Sequence, residues 1–297
     1  RAMTEGSGTP AGEVIQQIRL PRALAALATG GLLAVSGALM QILLRNPLAD
    51  PYILGLSGGS AAGALGAMIA GLGTAMVGAS AFGGALASVI LVFAVANRDL
   101  SRLEAPGAID SSPRLLLTGV ILASGWSAII TLLLSIAPEA QLRGMLFWLM
   151  GDLGGVDIYG PALIALPIVL AVIFPFARDL NLLLRGPTLA HALGVRVIRL
   201  RALLYVVASL ATALAVTTAG TIGFIGLIIP HALRLMIGND QRVLLPASAI
   251  AGGTFLLLAD TAARTLIAPQ QLPVGVITAL LGVPAFMFLL LRRRGGA

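Results

Sequence analysis

The sequence predicts an all-α, polytopic membrane helix bundle, and three observations carry that prediction. The chain is 58% hydrophobic and only 10% charged, its mean hydropathy is +0.99, and long apolar runs recur along its 297 residues. An ordinary soluble domain is roughly 25% charged, whereas a hydrocarbon core about 30 Å thick requires about 20 consecutive apolar residues per helix. Leu24–Leu44 supplies the first such run without a charge. The 36 Gly and 16 Pro fit the same class, because small residues let membrane helices approach closely and Pro is tolerated there.

Taken in order, the apolar segments are 24–44, 58–72, 76–96, 115–136, 158–176, 202–219, 222–237, 243–262 and 273–291, nine spans in all. Charge or Pro breaks the pattern at Arg45–Pro51, Asn97–Arg114, Pro138–Arg143, Arg178–Arg201, Gly238–Arg242, Ala263–Gln271 and Arg292–Arg294. Arginine bias near helix ends sets orientation. A cytoplasmic C-terminus places 14 arginines inside and five outside (Arg1, Arg19, Arg22, Arg143 and Arg264), and the opposite topology inverts the split. Nine spans then put the N-terminus outside, so an even-numbered bundle of ten expects one more helix before Arg1. The whole of 1–297 reads as a single transmembrane domain.

Composition also excludes chemistry. With no Cys there are neither disulfides nor thiolate metal sites. All 19 basic residues are Arg and the net charge is +7; in a soluble chain that would suggest nucleic acid, but here topology accounts for it and no nucleic-acid partner is expected. Without Lys there is no Walker A loop, which places Lys on the β- and γ-phosphates. No cofactor or metal is therefore expected in this chain, and energy has to come from another subunit or an ion gradient. The loop Arg178–Arg201 stands apart: Leu182, Leu183, Leu189, Leu193 and Val197 recur at helical spacing, which predicts a short amphipathic helix touching either a partner or the lipid headgroups.

The motifs, taken together, resemble one family. Ile18-Arg19-Leu20-Pro21-Arg22, Ser36-Gly37-Ala38 and Arg45-Asn46-Pro47-Leu48-Ala49-Asp50-Pro51 with Leu54-Gly55 open the series. Phe147-Trp148-Leu149-Met150-Gly151, Gly223-Phe224-Ile225-Gly226-Leu227, Pro230-His231, Arg234, Asp240, Arg242, Leu244-Leu245-Pro246, Ala259-Asp260, Ala263-Arg264 and Leu272-Pro273-Val274-Gly275 continue it. In this order they resemble the binding-protein-dependent ABC importer permeases for iron-siderophores, haem and vitamin B12. The resemblance implies a homodimer in the bacterial inner membrane, two ATP-binding subunits that carry ATP and Mg, a periplasmic substrate-binding protein, and a permease that is not itself an enzyme. It assigns docking of the binding protein to Arg19, Arg22 and Arg264, although lipid phosphates offer the same arginines an alternative. ATPase coupling is assigned to Thr188, Leu189, Ala190, Leu193 and Gly194; relatives commonly carry an acidic residue after the first Gly, where this chain has Gly186-Pro187. Ser111 and Ser112 match an inner gate, and Arg143 faces the outer vestibule, where haem propionates or an anionic siderophore could meet it, unless it simply snorkels at the interface.

Among the shared substrates, Arg143 and the lack of acidic residues on the presumed path favour haem, with vitamin B12 or an iron-siderophore as alternatives. His231, behind Pro230, reads as a helix-geometry or polar-contact residue rather than a ligand, and His191 as solvent or interface. Gly55-Leu56-Ser57-Gly58 also matches the nucleophile tetrapeptide of intramembrane serine proteases, with His231 as a conceivable base. An ion-coupled carrier is a further alternative, but Asp260 is its only candidate buried carboxylate and stands near an outer helix end.

Overall fold

The computed structural model describes residues 10–100, 112–155 and 159–294. Among these residues the regular structure is helical throughout: α1 Pro10–Val14, a π-helical stretch Ile15–Arg19, α2 Leu20–Leu43, α3 Leu56–Ile69, α4 Thr74–Leu100, α5 Ser112–Ile136, α6 Glu139–Met150, α7 Gly160–Ile173, α8 Ala177–Leu184, α9 Pro187–Ala192, α10 Val197–Ala219, α11 Ile225–Ile237, α12 Gln241–Thr265 and α13 Val274–Arg294. Each of the nine expected spans falls on one of these helices, and six continuous helical runs, among them Gly12–Leu43 and Gly160–Leu184, are long and apolar enough to cross a membrane. The span expected from 222 starts three residues later, because Phe224 adopts φ +71° and an L-residue there cannot continue a right-handed helix.

Helix α2 is the axis of the bundle and is buried along almost its whole length. Hydrocarbon tails are as apolar as leucine, so close packing and internal hydrogen bonds hold such helices together. The sequence of α2 serves both. Gly30 faces Gly252 of α12, and a Cβ on either would collide with the backbone of the other helix. The hydroxyl of Ser36 donates to the Ala208 carbonyl of α10 at 2.8 Å and accepts from the Thr212 hydroxyl at 2.6 Å. Near its C-terminal end, Gln41 donates to the Leu227 carbonyl at 3.1 Å and accepts from Arg234 at 2.9 Å, so the one amide in that stretch ties α2 to α11. In contrast, α5 is exposed along most of its length. Its Ser124, Thr131 and Ser135 turn their hydroxyls back onto their own helix, which satisfies them without a neighbour.

Candidate functional sites at the two ends of the bundle

At one end of α12 a buried charge cluster gathers residues far apart in sequence. Asp260, with no solvent exposure, accepts from Arg22 Nη2 at 2.8 Å and from Arg22 Nε at 3.0 Å on each oxygen. Arg264, one helical turn on, brings its Nε to 3.2 Å from the other carboxylate oxygen. Arg22 is only 7% exposed, and its remaining Nη1 donates to Gln271 at 3.2 Å. Two arginines on one carboxylate leave a surplus positive charge, carried outward by Arg264, whose side chain is 30% exposed. Arg19 is exposed at the end of the π-helical stretch. Arg22, by contrast, is held in the interior by Asp260, 238 residues away in sequence.

Gln271 also lines a cavity of about 1210 Å³ that opens at the same end, together with Arg143, Phe147, Trp148, Asp152 and Phe82. Arg143 is exposed and stands over the Phe147 ring, 5.6 Å from its centroid, so a neighbouring aromatic face already engages part of its charge. Ser111 lies outside the described residues, and Ser112 is the first residue of α5.

At the other end of α12, the expected amphipathic helix of loop 178–201 is two short helices. Gly186-Pro187 separates α8 from α9, since Pro lacks the N–H a continuous helix would need. Leu180, Leu183 and Ala190 are fully buried. Leu189 and Leu193 are 45% and 58% exposed, and Thr188, His191 and Gly194 are exposed with them. Gly194 closes the turn at φ +86°, its N–H bonded to the His191 carbonyl at 2.9 Å, while Val195 N–H reaches Ala190 at 3.0 Å; a helix commonly ends on a Gly in this left-handed conformation. Of the five residues assigned to coupling, Ala190 thus anchors the turn and the other four stand on its surface. Behind it, Asn181 of α8 donates to Asp240 at 2.8 Å and accepts from Gln241 N–H at 2.9 Å. That donated bond, followed by the Arg242 N–H, holds the exposed Asp240 carboxyl below the usual carboxylate range.

The profile of the FecCD transport family matches residues 1–292. The chain belongs to the FecCD transport family. The cobalamin import system permease protein BtuC of Halobacterium salinarum is 43% identical over 281 residues, covering 93% of this chain and 73% of the relative. The vitamin B12 import system permease protein BtuC of Escherichia coli is 43% identical over 291 residues, covering 96% and 86%. A solved structure described as a metal-chelate type ABC transporter in an inward-facing conformation superposes with a TM-score of 0.85 at 33% identity, covering 98% of this chain and 92% of that one. PsaBC from Streptococcus pneumoniae shares the fold, with a TM-score of 0.65 at 20% identity over 93% of each chain.

Membership in the FecCD family places both ends of α12 in a transport permease. His231, buried behind Pro230 in α11, meets the Phe286 ring edge-on at 6.4 Å, and Ser57 sits in the first turn of α3. Sequence reasoning passed over Asn181, Gln41 and Gln271. A usable signal existed for Gln41, a lone amide in an apolar helical stretch, where an unpaired polar group is costly and therefore implies a partner.

Proposed function

We propose that this chain is the membrane-spanning subunit of an ATP-driven importer, and that its cargo is a corrinoid of the cobalamin type. The observation that carries the reading is the half-exposed turn at Thr188, Leu189, Leu193 and Gly194, a structured apolar surface left uncovered among the described residues. Two ATP-binding subunits, each holding ATP and Mg, would cover it, because the absence of Lys denies this chain a Walker A loop of its own. The relatives named for cobalamin and vitamin B12 import support a corrinoid ahead of haem. The position of Arg143 over Phe147 also weakens the sequence-based case for haem, because that case needed an unengaged charge to meet propionates.

In this reading the Asp260 end faces the periplasm and loop 178–201 faces the cytoplasm. Arg264 and Arg19 receive carboxylates of a periplasmic binding protein, with Arg22 fixed beneath them by Asp260, since charge-assisted arginine–carboxylate pairs suit such docking. A second copy covers the exposed face of α5, so that the translocation path runs between two copies from the cavity at Arg143 to the gate at Ser111 and Ser112. ATP binding closes the ATPase pair, and the bundle alternates between outward and inward openings.

The test is reconstitution of the chain with its ATPase and binding protein in proteoliposomes, offering cyanocobalamin, haem and a ferric siderophore separately. ATP-dependent uptake of cyanocobalamin alone, or far ahead of the others, is expected. Uptake of haem without cyanocobalamin would overturn the cargo, and ATP-independent uptake would overturn the importer.

A further inference from the structure

We propose that Asn181 is a positioning residue that makes the coupling turn and α12 move as one piece, so that events at the ATPase face reach the Asp260 cluster through a single helix. The inference rests on the importer reading above and adds the path by which the two faces communicate.

The first N–H groups of a helix have no partner within it. In α12 two of them are satisfied from different sources: Asp240 accepts from Arg242 N–H at 3.1 Å as an ordinary cap, but Gln241 N–H is satisfied by Asn181 of α8. The same Asn181 amide donates back to the capping carboxylate. One side chain of the coupling segment therefore completes the start of α12, and its donor and acceptor ends are both used. Leu180 beside it and Leu183 beyond are fully buried, which seats α8 against the bundle, while apolar packing alone still allows sliding. The two amide bonds fix the register.

From that point α12 runs 25 residues to Thr265, and at 1.5 Å per residue Asp260 lies about 28 Å along it, with Arg264 one turn further. Along the way Gly252 meets Gly30 with backbones in direct approach, and at the far end Asp260 holds Arg22 of the same α2. Helices α2 and α12 are thus locked together in the middle and at one end, and at the other end of α12 Asn181 ties it to α8.

The experiment uses the full chain with its ATPase subunit and cyanocobalamin-loaded binding protein in nanodiscs, and measures ATPase co-purification, basal hydrolysis and the stimulation of hydrolysis by the binding protein. In Asn181→Leu, and in Asn181→Ser, which falls short of Asp240, the ATPase stays bound and basal hydrolysis stays within about twofold, while stimulation drops at least fivefold. In the reciprocal swap Asn181→Asp with Asp240→Asn the bond between 181 and 240 reforms with donor and acceptor exchanged, residue 181 still accepts from the Gln241 N–H, and stimulation is restored. A purely structural role would lower thermal stability and ATPase binding together without selecting the stimulation ratio. Unchanged stimulation in both single variants, or no rescue by a folded swap, overturns the proposal. A wild-type chain that binds no ATPase overturns the importer reading, and this one with it.

Discussion

At one end of α12 a carboxylate with no exposure holds two arginines, and at the other a half-exposed turn ends in two uncovered leucines. The first surface is charged and rests on a buried, long-range ion cluster. The second is apolar and rests on local capping and a two-bond amide clamp. The difference teaches which surface is separable from the fold. Removing either member of the buried Arg22–Asp260 pair disturbs the interior, because a buried charge needs its partner, whereas Leu189 and Leu193 can be altered with the helices behind them intact.

This contrast can be broken by stability measurements first. Asp260→Ala strands Arg22 inside the bundle and is expected to cost about 3–5 kcal/mol, read as a large loss of thermal stability in detergent, while Leu193→Asp changes stability by no more than about 0.5 kcal/mol, as an exposed site should. Equal effects would erase the distinction. Gly252→Val tests the lock between the two ends: its branched side chain has to displace Gly30 and Ala34, an overpacking cost of about 1–3 kcal/mol that thermal unfolding would register. Arg264→Glu sharpens the charged side. It reverses the exposed member of the cluster, so association with the binding protein should weaken about tenfold, roughly 1.4 kcal/mol, with basal hydrolysis retained and with a reduced dependence on salt. Arg19→Glu, at an exposed position, should weaken the same association by about fivefold at most.

The helices were legible in the sequence because lipid imposes a length and a composition on every span, and 24–44 or 243–262 meet both without reference to the rest of the chain. The turn at Gly194 was legible for a similar reason: a left-handed position and its apolar flank are local. Arg22 was not. Its burial depends on Asp260, and nothing within a few residues of either discloses that pairing. The amphipathic helix expected within 178–201 is two helices because Gly186, at φ +130°, and Pro187, which lacks an N–H, interrupt the helical spacing of Leu182, Leu183, Leu189 and Leu193. Asn181 stayed hidden because its role is to cap a helix 60 residues further on.

The most direct test of the account is co-purification of the ATPase subunit with the wild-type chain and with Leu193→Asp. The wild-type chain should retain the ATPase through high-salt washing, since an apolar contact is little screened. The variant, correctly folded but placing a carboxylate in that contact at a cost of several kcal/mol, should lose the ATPase or hydrolyse ATP without moving cyanocobalamin. A wild-type chain that retains no ATPase, or a Leu193→Asp chain with undiminished coupled uptake, would contradict it.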